Sequence, residues 1–166
     1  MINGSNTPEN ERDLWRTPPE IIEVIKGFLN MGIALDACAA NAEVSVAHYF
    51  ISPEQDALSN NRWPLSRGQV AFMNPPYSKP ATWCARASLE AFSNQAFVVG
   101  LLPDDRSTKW YQEHIEGVAS LALLPNKRIS FLRPDGSKGG SNNRGSVIPV
   151  WTPWRTTRTE YIRVMI

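Results

Sequence analysis

Residues 69–77 read Gln69-Val70-Ala71-Phe72-Met73-Asn74-Pro75-Pro76-Tyr77. A short apolar run that stops abruptly at an Asn-Pro-Pro turn reads as a buried strand and its carboxyl end, because two adjacent prolines cannot continue a hydrogen-bonded ladder. Pro80 to Phe92 follows with the spacing of an amphipathic helix carrying Trp83, Ala87 and Leu89, and Ala96–Leu102 is a second continuous apolar run. Strand, turn, helix and buried strand make a β-α-β unit, which sets a parallel sheet at the centre of the chain.

The pattern extends outward from this unit. Upstream, Thr17 is placed to cap a helix, with Pro18 and Pro19 in its first turn, Ile21, Ile22, Val24, Ile25, Phe28 and Leu29 along it, and Gly32 as its stop. Ile33–Asp36 reads as a short strand ending in an acid, Ala37–Ala42 as a small-residue turn, and Val46–Ile51 as a second strand. Downstream, Ser107–Ile115 is a helix capped by Ser107 or Asp105, and Leu121–Leu124, Arg128–Leu132, Ser146–Trp151 and Tyr161–Ile166 are strands with no helix between them. The expected fold is therefore α/β and Rossmann-like: a mostly parallel central sheet with an antiparallel C-terminal end and helices on both faces. Residues 133–145, with four glycines and three bases, are expected to be a mobile surface loop.

With 166 residues, 42% of them hydrophobic and 20% charged, one domain over residues 13–166 is expected behind a loose polar segment at 1–12, with no separate target-recognition domain. No run approaches a membrane span, and the polar start has no apolar leader core. Two cysteines (Cys38, Cys84) and two histidines (His48, His114) make neither a disulfide scaffold nor a zinc site, so a reducing cytoplasm and no metal are expected. The net charge of +1 is unevenly spread. Residues 127–166 carry eight Lys and Arg against two acids, a net +6, which leaves −5 for residues 1–126. That asymmetry fits one face turned to a polyanion.

Asn74 stands where ligands of open parallel sheets bind, beyond the carboxyl ends of the strands. Its side-chain carbonyl and the Pro75 carbonyl are two acceptors for an amino group with two hydrogens, Pro76 stiffens the turn, and Tyr77 offers a flat face to an aromatic ring. This set suits methyl transfer to a planar amine such as the exocyclic nitrogen of adenine. Its lone pair is delocalised into the ring, so holding its hydrogens to aim that lone pair is the main gain available to a catalyst.

The segment VAFMNPPYSKP, with DLWRTPPEII and LDACAAN upstream and VVGLLPDD downstream, resembles the phage-type DNA N6-adenine methyltransferases over about residues 13–151. The resemblance implies S-adenosylmethionine as cofactor and adenine in duplex DNA as substrate, flipped out of the helix onto Tyr77. It places Asn74, Pro75, Pro76 and Tyr77 in catalysis. Thr17 and Pro18 would meet the cofactor's methionine carboxylate, Asp36, Ala37 and Cys38 would form the cofactor strand and turn, and Asp56 and Leu58 would form a D-x-L element at its adenine. Glu54 or Glu43 is the candidate for the ribose. The turn departs from the usual glycine-rich loop, since no glycine occurs from 33 to 67. Arg106, Lys109, Arg128, Phe131, Arg133, Lys138 and Arg144 are the candidates for contact with DNA, with a short or relaxed target site expected. The tetrapeptide is shared with enzymes acting on other amines, so an RNA or protein-amide substrate, or a degenerate binding module, remains an alternative reading of the residues. Oligomeric state is not legible.

Overall fold

A computed structural model describes residues 14–139 and 144–166; residues 1–13, which include the segment 1–12, and residues 140–143 of the basic loop lie outside the described residues. The elements are α1 (Pro19–Leu29), β1 (Leu35–Asp36), β2 (Tyr49–Phe50), a 3-10 turn (Pro53–Gln55), β3 (Val70–Met73), α2 (Pro80–Asn94), β4 (Phe97–Gly100), β5 (Leu102–Pro103), α3 (Lys109–His114), β6 (Leu121–Pro125), β7 (Ser146–Trp151) and β8 (Glu160–Val164). The sheet runs β2-β1-β3-β4-β7-β6-β8, with β5 also pairing on β7. β2, β1, β3 and β4 are mutually parallel, in the registers Leu35↔Tyr49, Asp36↔Phe72 and Met73↔Gly100. β7 runs antiparallel between β4 and β6, and β8 returns parallel to β6.

Side-chain alternation divides the sheet between two cores. Val70 and Phe72 of β3, with Val99 and Ile148, pack under Ile21, Ile22 and Ile25 of α1. Ala71 and Met73, with Val98 and Val147, pack under Cys84, Ala87 and Ala91 of α2 and Tyr111 of α3. With both faces covered, all four residues of β3 and all six of β7 are buried, which is why β3 and the last five residues of β7 read as unbroken apolar runs.

Four local expectations are corrected. Pro18, not Thr17, occupies the cap of α1, because Pro18 is still extended at ψ 140° and the helix begins at Pro19; a proline has no side-chain oxygen to cap with, and the Thr17 hydroxyl meets Asn74 instead. The helix stops at Asn30, which takes the left-handed conformation before Gly32 is reached. Thr108 stands at the cap of α3 in place of Ser107 or Asp105. Residues 128–132 are not a strand: Ile129 and Phe131 drop into the core beneath α1, and only Leu132 makes an isolated bridge to Arg16.

That bridge ties the amino-terminal segment to the basic turn. Arg16 and Leu132 exchange two backbone hydrogen bonds, of 2.8 and 3.0 Å, and the Arg16 guanidinium donates to the Pro134 carbonyl. Gly139 lies against the Trp15 indole, and a Cβ there would also stand 2.7 Å from the Phe131 carbonyl oxygen. Gly139→Ala is therefore expected to push the turn off Trp15 at a cost of about 1–3 kcal/mol, read as a lower denaturant midpoint. An unchanged midpoint would mean that the turn does not close on Trp15.

Candidate active site at the carboxyl ends of β1 and β3

Asn74 follows the last residue of β3, and Asp36 ends the neighbouring β1. The Asn74 side chain is half-buried and held from both ends. Its Nδ2 donates to the Thr17 hydroxyl at 3.2 Å, and its Oδ1 accepts from the Tyr77 hydroxyl at 3.2 Å. Pro75 is buried and Pro76 half-buried, so the turn is rigid as well as short of donors. Tyr77 keeps 37% of its surface exposed. Burial around its phenol holds the hydroxyl protonated well above the ordinary tyrosine pKa.

Asp36 is buried, and desolvation raises its pKa against the opposing pull of two backbone donors. Its Oδ1 accepts from the Cys38 N–H and its Oδ2 from the Val46 N–H, both at 3.0 Å. No helix follows it, so it is not a helix cap. It braces both ends of the loop 37–46 and so shapes the small-residue turn at Ala37 and Cys38. Burial, and then the nearby Asp36 charge, push the Cys38 thiol up; burial pushes Cys84 to about 12. Cys84 lies in the core beneath α2, and Cys38, half-buried, packs against the same cluster.

Asp56 and Leu58 lie past the carboxyl end of β2, next to this cluster through β1. Asp56 is exposed, left-handed at φ 50°, and its carboxylate accepts from the Leu58 N–H at 3.0 Å. It edges a small cavity of roughly 150 Å³ shared with Ile51, Ala57, Arg62 and Trp63. Glu43 and Glu54 are both exposed. A larger cavity, about 630 Å³ and lined by Leu29, Phe97, Leu121, Trp154, Arg158 and Glu160, opens at the other end of the sheet, where β4, β6 and β8 begin. It touches none of these site residues.

The cationic candidates divide. Arg106 is paired with Asp104 at 2.9 Å and lies over the Tyr161 ring, Lys109 pairs with Glu113, and Arg144 pairs with Asp105 at 3.1 Å. Arg128, Arg133 and Lys138 are exposed, and no salt bridge among the described residues engages them. Phe131 is only 6% exposed and belongs to the core under α1, not to an open base pocket.

Sequence reading missed the network that holds the Asp56 loop. Glu90 of α2 is 2% exposed and pairs with Arg86 at 2.7 Å. Glu90 also accepts from the Trp63 N–H and the Asn94 amide. Arg86 donates to the carbonyls of Ser59 and Asn61, and the Trp63 indole donates to Ala57. The i,i+4 spacing of Arg86 and Glu90 was the available signal, but it does not tell a buried pair from a solvated one.

A family model described as DNA N-6-adenine-methyltransferase (Dam) matches residues 4–165. Among curated proteins, the DNA N-6-adenine-methyltransferase of Haemophilus phage HP1 is 32% identical over 154 residues, spanning 92% of this chain and 86% of that protein. The protein of the same name from Escherichia phage T1 is 32% identical over 160 residues, spanning 87% of this chain and 65% of its own greater length. A match of this extent, over a chain whose Asn-Pro-Pro-Tyr turn stands at the end of a central parallel strand, leaves one conclusion: the chain belongs to the DNA N-6-adenine-methyltransferase (Dam) family.

Proposed function

We propose that the chain transfers a methyl group from S-adenosylmethionine to the N6 amine of adenine in DNA, with the adenine turned out of the duplex. One observation carries the reading: the Asn74 amide stands at the carboxyl end of β3, pinned from both sides, beside an open tyrosine ring. The Oδ1 of Asn74 has two lone pairs, and Tyr77 uses one. The other, with the Pro75 carbonyl, is available to the two hydrogens of an amine. Holding both hydrogens aims the amine lone pair along one line, and this is where orientation lowers the barrier. Tyr77 would stack on the base, offsetting part of the cost of flipping it.

The residues fit the cofactor by the chemistry of their groups. Ala37 and Cys38 form a small-residue turn shaped by Asp36, and Asp56 puts an exposed acceptor at the rim of the cavity beside Trp63. When bound there, the cofactor supplies an electrophilic methyl group. Asp36 would keep the turn open for it, and Asp56 would accept from its adenine amine. Methylation leaves the amine cationic and acidic, so its proton passes to solvent and the site needs no strong base for this step.

The test is transfer of a labelled methyl group to unmethylated duplex DNA, followed by digestion to nucleosides. N6-methyldeoxyadenosine is the expected product; label on RNA or on protein alone would overturn the reading. DNA is expected to meet Arg133 and Lys138, which the Arg16 bridge holds near Thr17. Neutralising both should reduce the salt slope of binding by up to about 2 units, since each phosphate contact contributes about 0.9. Stability should barely move, because the charges are exposed. An identical slope in mutant and wild type would remove this turn from the interface.

A further inference from the structure

Thr17 was expected at the cofactor, yet its hydroxyl meets a different group. It lies 3.2 Å from the Nδ2 of Asn74, a residue 57 positions away, on the side of the amide opposite Tyr77. We propose that Thr17 is a positioning residue for the Asn74 amide: it accepts from Nδ2 when the carbonyl oxygen is turned to the target amine, and so supports that orientation. The proposal rests on the functional reading above.

The physical case is one of symmetry. The two ends of an asparagine amide have nearly the same shape but opposite hydrogen-bonding character. Rotated by half a turn, Asn74 would oppose its own N–H groups to those of the amine, and the clamp would become a repulsion. Tyr77 does not decide the orientation, because a hydroxyl serves either end equally well. The Thr17 hydroxyl is equally versatile, and that is its use. Once an amine hydrogen demands Oδ1, Nδ2 must face the other way into a half-buried site, and Thr17 is there to accept from it. Without that acceptor the productive orientation leaves an unsatisfied donor. Pro18 and Pro19 fix the backbone beside Thr17, and the Arg16–Leu132 bridge fixes it on the other side, so the acceptor is held in place rather than sampled.

Thr17→Val keeps the shape and removes the acceptor; Thr17→Ser keeps the acceptor. With labelled S-adenosylmethionine and unmethylated duplex DNA, Thr17→Val is expected to lower kcat at saturating cofactor roughly ten- to a hundredfold. Cofactor affinity measured by calorimetry should stay within about threefold, and Thr17→Ser should recover most of kcat. In amide spectra, the Asn74 side-chain pair should shift in Thr17→Val and return in Thr17→Ser; this also shows that the valine variant is folded. A weakened cofactor affinity with kcat preserved at saturation would overturn the proposal and make Thr17 a cofactor ligand. Unchanged kcat would overturn it as well, as would an Asn74 pair indifferent to Thr17. A wild type that transfers no methyl group to DNA overturns the functional reading and this role with it, whereas an active wild type with an indifferent Thr17→Val overturns the role alone.

Discussion

Asn74→Ala is expected to reduce methyl transfer by about a hundred- to a thousandfold, the scale on which removing one oriented polar group at a reacting centre is felt. Cofactor affinity should stay within a few-fold, because the loop at Asp36 is braced by its own backbone bonds to Cys38 and Val46 and does not depend on the Asn74 side chain. The fold should survive: the amide is half-buried at the rim of the sheet, and a water in the space it leaves can bond to the Thr17 and Tyr77 hydroxyls. Transfer kinetics beside calorimetry of cofactor binding separate these effects. Wild-type turnover in the mutant would end the assignment of the amide to the amine clamp.

Glu90→Ala is expected to be the most damaging substitution away from the site, at about 3–5 kcal/mol. It leaves the Arg86 guanidinium, with only 11% of its side chain exposed, without its charge partner. The Trp63 N–H and the Asn94 amide lose their acceptor in the same stroke. For a chain of this length the melting temperature should fall by roughly 10 °C or more. Glu90→Gln keeps the shape and the acceptor oxygen, so it should lose less. Because Arg86 and Trp63 hold residues 57–61 through three carbonyls, cofactor affinity should weaken with stability, in contrast to Asn74→Ala. A melting temperature unchanged by Glu90→Ala would show that the pair is solvated and that the Asp56 loop is held in another way.

The same physics explains which parts of the fold were legible in one dimension. β3 and β7 could be read almost to the residue because both of their faces are covered, so an apolar run and a buried strand coincide. β1 and β2 shrink to two residues each, since only Leu35↔Tyr49 and Asp36↔Phe50 complete the ladder at that edge. Residues 128–132 misled because Ile129 and Phe131 alternate with polar neighbours. Alternation reports which side chains are buried, and it is silent on whether a partner strand lies alongside. α1 was found and its cap misassigned for a related reason: a Thr before two prolines has the local signature of a cap, while its hydroxyl answers to Asn74.

By itself, then, the sequence determined the β-α-β centre, the placement of Asn74-Pro75-Pro76-Tyr77 at the end of a buried strand, and the concentration of positive charge after residue 126. These are legible because hydrophobic period, proline geometry and charge are properties of neighbours along the chain. The tertiary structure alone decided that the Thr17 hydroxyl meets the Asn74 amide, that Arg86 and Glu90 are a buried pair holding the Asp56 loop, that Arg106 and Arg144 are paired with Asp104 and Asp105, and that β8 returns parallel to β6. Each of those depends on which polar group finds which partner once the chain has closed. A hydroxyl, a guanidinium or a carboxylate accepts many partners equally well, so its choice is set by long-range packing and not by the residues beside it.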